Sequence, residues 1–149
     1  MGFGGLGLRV ERELFRRWPN HHFLLPFPPD PEAAAAVGTV ANVTVLPKGV
    51  RPLDLMPHCD RLIGKPGFST FSEALSTGLG LHVVERSGFA EAIALMDGLR
   101  RHGSHRILSR TEFDRGAWQL DQPLHRPESA ALETDGALTA ALAIQGLLE

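Results

Sequence analysis

The sequence contains one cysteine, Cys59, and no tyrosine. It also lacks any apolar run near the ~18 residues that a membrane helix requires. A single thiol excludes an internal disulfide framework and suits a reducing compartment. Fifteen basic residues against seventeen acidic ones leave a formal charge of −2. There is thus no broad basic field of the kind that holds nucleic acid or an anionic membrane surface. No basic and apolar leader pattern opens the chain. These absences predict a cytoplasmic protein with no transmembrane segment and no nucleic-acid partner.

What is present is enough for a core. Of 149 residues, 43% are apolar, which fits one domain over residues 1–149 that buries roughly 70% of its unfolded surface. Glycine and proline divide the chain into short elements. Val10, Leu14 and Trp18 recur at four-residue steps and predict a helix over 9–18. A short apolar run at 22–25 has strand length, and the prolines after it forbid regular structure. Asp30 is placed to cap a helix that starts at Pro31, runs through Ala33 to Ala36 and ends at Gly38. Further strands are expected at 43–46, 62–63, 81–84 and 106–108. Helices are expected at 51–59, from Ser69 or Thr70 to Thr77, and on a face marked by Phe89, Ile93, Met96 and Leu99. Two helical segments, around 113–120 and 134–148, finish the chain.

Short apolar strands alternating with helices argue for an α/β fold with a parallel sheet covered on both faces. Right-handed crossovers make that a three-layer, Rossmann-like sheet, whose ligands bind beyond the carboxyl ends of the strands. Only Met1 precedes the first glycine loop, so the first strand is expected to be short or missing.

Two motifs compete for the site. Gly2, Gly4 and Gly7 match the G-x-G-x-x-G of dinucleotide-binding proteins. That fingerprint also needs a preceding strand and an acidic residue closing the next one. The strand is lacking, and prolines carry Asp30 past the strand end. An NAD-dependent oxidoreductase and glycines needed only for turning are the alternatives here.

The second motif is a strand, a loop and a helix start in one run, residues 64–75. Gly67 lets backbone approach a ligand, and the helix start offers unpaired N–H groups that favour an anion. Ser69 and Thr70 add hydroxyls, Lys65 adds a cation, and Glu73 is suited to a ribose diol. Thr70-x-x-Glu73 also fits a capping box, in which Glu73 ties back to the helix start.

This run resembles the donor-site signature of GT-B fold glycosyltransferases. The nearest likeness is to the nucleotide-sugar-binding half of the UDP-glycosyltransferases and of the lipid II-forming N-acetylglucosaminyltransferase. The resemblance implies one half of a GT-B fold: the donor-binding domain of a metal-independent glycosyltransferase recognising a nucleoside-diphosphate sugar, of UDP by expectation. It implies diphosphate contacts from Gly67, Phe68, Ser69 and Thr70, assisted by Lys65 and by Gly4 and Gly5, and a ribose contact from Glu73. The segment 84–91, with Arg86 and Glu91, takes the place of the loop that touches the donor sugar. Lys65 stands where the family has histidine, Ala90-Glu91 where it often has Asp-Gln, and Gly80 where proline is common. The family's acceptor-binding half, with its catalytic base, has no counterpart in the chain. A homodimer or a separate acceptor-binding subunit is therefore the expected partner, and no cofactor is expected beyond the nucleotide-sugar substrate. The other class weighed is a non-catalytic remnant or interaction domain.

The remaining polar residues suggest less. Adjacent His21 and His22 face opposite ways on a strand. His102 and His105 flank a glycine turn without an acidic or thiol companion nearby in sequence, so no metal site is expected. His58 and Cys59 are neighbours whose side chains diverge, and Cys59 reads as a buried thiol before a strand.

Overall fold

The computed structural model describes residues 11–26, 31–129, 132 and 134–147. The glycine loop with Gly4 and Gly5, and the capping residue Asp30, lie outside these. The elements alternate as α1 (Arg12–Phe15), β1 (Phe23–Leu25), α2 (Pro31–Gly38), β2 (Val43–Val45), α3 (Pro52–Leu55), β3 (Arg61–Gly64), α4 (Phe68–Ser76), β4 (Gly80–Val84), α5 (Ala92–His102), β5 (His105–Leu108), α6 (Arg110–Asp114) and α7 (Gly136–Gln145).

The class is α/β with parallel strands, as the alternation requires. The strands form two small sheets rather than one. In the first, β1 pairs with β2 from Phe23 opposite Val43 to Leu25 opposite Val45. In the second, β4 lies between β3 and β5, with Gly64 opposite Val83 and Val84 opposite Leu108. Among the described residues no strand joins the two sheets. They still share a core: Phe23 and Val43 pack in one cluster with Ile63, Val84 and Leu108.

Every residue of β4 is buried, which a strand flanked on both sides and covered on both faces must accept. Leu81 and Val83 pack with Phe71 and Ala74 of α4 and Leu99 of α5. Val84 faces the opposite cluster, where Phe15, Phe113 and Trp118 meet. Trp118 makes edge contacts with Phe15 at 5.3 Å and Phe23 at 5.5 Å, and its indole N–H donates to Phe113 O at 2.9 Å. A buried aromatic of this kind needs both the apolar contact and the polar partner.

Local chemistry explains most boundaries. Gly78 takes φ +69° and closes α4: Leu79 N–H reaches Ala74 O (2.9 Å) and Gly78 N–H reaches Leu75 O (3.2 Å). This is a Schellman end, which glycine adopts without a Cβ penalty. Ser109 caps α6 in a full capping box with Glu112. Asn42 Nδ2 lies 2.9–3.0 Å from Phe15 O, Trp18 O and His21 O, so its two hydrogens are shared among three carbonyls of α1 and the turn after it.

Several expectations change, and of the helix over 9–18 the described residues form Arg12–Phe15, with turns after it. The helix over 51–59 divides into α3 and a 3₁₀ turn, Met56–His58, because Pro57 has no N–H to continue an α-helix. The helix around 113–120 is instead α6 followed by a loop, where Gly116 and Gln119 take positive φ and Trp118 turns back into the core. On α5 the covered side chains are Leu95, Met96 and Leu99. Ile93 is 84% exposed, and Phe89 precedes the helix. Helix α7 forms within the expected segment, yet it buries no residue.

Candidate functional site

The carboxyl ends of β3 and β4 are adjacent by register, so the loops at 65–67 and 85–91 leave the same edge of the sheet. Helix α4 starts at Phe68, with Gly67 as an extended N-cap that contributes no side-chain bond. The first helical bond is Phe71 N–H to Gly67 O, 3.0 Å. The amides of Phe68, Ser69 and Thr70 precede it and point out of the helix start, where the partial positive end of the dipole lies. Since α4 begins before Thr70, Thr70 lies within the first turn, and the Thr70–Glu73 capping box does not form. The hydroxyls of Ser69 and Thr70 and the carboxylate of Glu73 bond no protein group. Helical spacing puts these three on one face.

Lys65 follows β3, half-buried, and Pro66 beside it is buried outright, which fixes the loop's path. Across from it, the Arg86 guanidinium lies 4.3 Å from the centroid of Phe89, a cation–π contact that holds the side chain over its own loop. Glu91 is exposed and stands at the N-cap of α5 without making a cap bond. Phe68, at 69% exposure, stands bare at the start of α4. The loops thus bring Lys65, Gly67, Phe68, Ser69, Thr70 and Glu73 together on one element, with Arg86 and Glu91 on the neighbouring loop.

One cation escaped the sequence reading. Arg51 forms a bidentate pair with Asp54, at 2.7 and 3.1 Å. This pair raises the Arg51 pKa, with a further small push from the Glu73 charge, and holds the Asp54 carboxyl below its usual value. Arg51 is therefore within electrostatic reach of Glu73. No sequence signal marks it, because Arg51 stands at the start of α3 and Glu73 lies within α4, far apart along the chain. The arrangement offers amide donors, hydroxyls and cations to an anion, with a free carboxylate a turn away for a hydroxylated group.

No family model, curated protein or solved structure matches this chain.

Other polar clusters lie apart from these loops, and in one of them the buried Nδ1 of His21 has no hydrogen-bond partner among the described residues. A cleft of about 640 Å³ opens at the amino ends of β1 and β2, lined in part by Arg16, His21, His22 and Asn42. Its permanent cation, Arg16, is paired with Glu13 at 3.0 Å, and His22 Nε2 lies 2.8 Å from Thr44 Oγ1. Ligands of parallel sheets bind at the opposite end, so the cleft is secondary to the β3–β4 loops. Cys59 is half-buried and directs its thiol to Leu55 O at 3.3 Å. His58 is exposed beside it. Among the described residues no helix is long and apolar enough to cross a membrane.

Proposed function

We propose that the chain is a nucleotide-sugar-binding domain, with the diphosphate seated on the first turn of α4. The uncapped start of that helix is the observation that carries this reading. Three amides and two unengaged hydroxyls lie there, with Lys65 on the loop just before it, and backbone donors at a helix start suit a phosphate group. Glu73, one turn on and free of protein partners, would accept the ribose hydroxyls. Arg86, Glu91 and the 85–91 loop would meet the sugar.

On this reading the two parallel sheets belong to one Rossmann-like layer, equivalent to the donor half of a GT-B glycosyltransferase. Metal-independent transfer is consistent with neutralising a diphosphate by amides and Lys65. Transfer also needs a base within ~3 Å of the acceptor hydroxyl. Among the described residues the close carboxylate–imidazole pair is His21 with Asp121, 3.7 Å apart, and His21 lines the cleft at the amino ends of the strands. The domain would therefore bind donor and rely on a second copy or a separate subunit for acceptor and base.

Calorimetric titration with UDP, UDP-sugars and NAD tests the proposal. UDP and at least one UDP-sugar are expected to bind more tightly than NAD, with affinity falling at least about tenfold when Lys65 is changed to Ala. Tighter binding of NAD, or no binding of any nucleotide, would overturn it. A second reading, a non-catalytic interaction domain, is favoured by α7, whose Leu138, Leu142 and Ile144 are all more than half exposed.

A further inference from the structure

The outer edge of β5 is closed by residues far along the chain. His105 and His125 face each other in an antiparallel bridge, exchanging main-chain bonds of 3.0 and 2.8 Å. Their ring centroids are 5.7 Å apart, with planes tilted by 39°. Two imidazoles that ligate one ion at ~2.0–2.1 Å near the tetrahedral angle have centres about 5 Å apart, close to the 5.7 Å found for this pair.

The electronic state of His105 also fits. Its Nδ1 lies 2.9 Å from Gly103 O. A carbonyl can only accept, so Nδ1 carries the proton and Nε2 keeps its lone pair. Metal-binding histidines are oriented in the same way, by donating the other ring N–H to a backbone carbonyl. His105 is 7% exposed, and its Nε2 is neither bonded within the protein nor among the sealed unpaired atoms. Solvent therefore reaches that nitrogen. His125 is exposed, and its ring bonds no protein group.

We propose that His105 Nε2 and the His125 imidazole form a two-ligand site for a divalent transition-metal ion at the sheet edge. This departs from the sequence expectation that no metal site exists. The described residues hold no cluster of three or more His, Cys, Asp or Glu fit for a metal, so water completes the coordination. Paired imidazoles select Cu²⁺ most strongly, then Ni²⁺ and Zn²⁺, and they pass over Mg²⁺ and Ca²⁺, which take oxygen ligands. The two rings come together only in the folded chain, so the ion stabilises that state. It also pins the edge-covering segment, whose Glu128 and Ser129 amides bond Arg100 O and Arg101 O at 3.1 and 2.8 Å.

The test uses the full chain without an affinity tag. Melting temperature is measured with CuCl₂, NiCl₂, ZnCl₂ and MgCl₂, and the ring signals of the seven histidines are followed by NMR. The three transition metals should raise the melting temperature, Cu²⁺ most, with Mg²⁺ inert, and only the His105 and His125 signals should shift or broaden. His125→Ala removes an exposed ring, so the protein still folds, and should weaken binding at least about tenfold. His58→Ala, at an exposed histidine elsewhere, should leave the response intact. Unmoved ring signals at millimolar Zn²⁺, or an unchanged response in His125→Ala, would overturn the proposal.

Discussion

Arg61 and His82 form a hydrogen-bonded pair across β3 and β4: Arg61 Nη1 lies 3.0 Å from His82 Nε2 and 2.9 Å from Gln122 O. A guanidinium can only donate, so Nε2 accepts and His82 Nδ1–H donates to Trp118 O at 3.0 Å. The imidazole is fully buried and neutral. Burial first, and the Arg61 charge second, push its pKa from 6.5 down to about 4.

That shift makes the protein acid-sensitive. Between pH 6.5 and about 4 the unfolded chain binds a proton at His82 that the folded chain refuses, so stability falls as pH falls through this window. The loss is of order 3 kcal/mol. Urea denaturation at pH 7, 5.5 and 4 should show it, and His82→Gln should flatten the trend. An equal slope in the variant would assign the acid sensitivity to other groups.

Trp118 joins the aromatic cluster to the loop behind α6. It is fully buried and touches Phe15, Phe23 and Phe113. Trp118→Ala is expected to cost about 3–5 kcal/mol, by lost transfer energy plus a cavity. Trp118→Phe should cost less, because the ring remains although the bond to Phe113 O is gone. Denaturant midpoints compare the two; equal losses would mean that ring contact is not what stabilises this site.

Ser109→Ala removes one side of the capping box and should cost about 1 kcal/mol. It also removes the hydroxyl that, at 2.7 Å from Glu112 Oε2, is the chief cause of the depressed Glu112 pKa. Carboxylate titration by NMR should then show Glu112 moving up toward its usual value. A stability loss with no such movement would place the cost in helix propensity instead.

Glu73→Ala separates ligand from fold. The carboxylate bonds no protein group and takes no part in a capping box, so melting should change by no more than about 0.5 kcal/mol. Affinity for UDP should fall at least tenfold if the ribose rests there. A large stability loss with unchanged affinity would make Glu73 a structural residue.

The sequence by itself determined the alternation of strand and helix, the class of fold and the closing of α4 at Gly78, because apolar period, proline and glycine act over a few residues. It also placed a strand, a loop and a helix start within residues 64–75, which the structure shows as the end of β3, the loop at 65–67 and α4. Contacts between distant segments were decided by tertiary structure. The strands divided between two sheets, because pairing depends on which edges meet. Trp118 turned inward to an aromatic cluster assembled from three other segments, which ended a helix that its local pattern would have continued. Phe89 and Ile93 fit an amphipathic face, yet α5 begins after Phe89 and rests on Leu95 and Leu99. Arg51 came near Glu73, Arg61 met His82, and His125 met His105. Each of these meetings joins residues whose separation along the chain carries no periodic signal, so packing alone could bring them together.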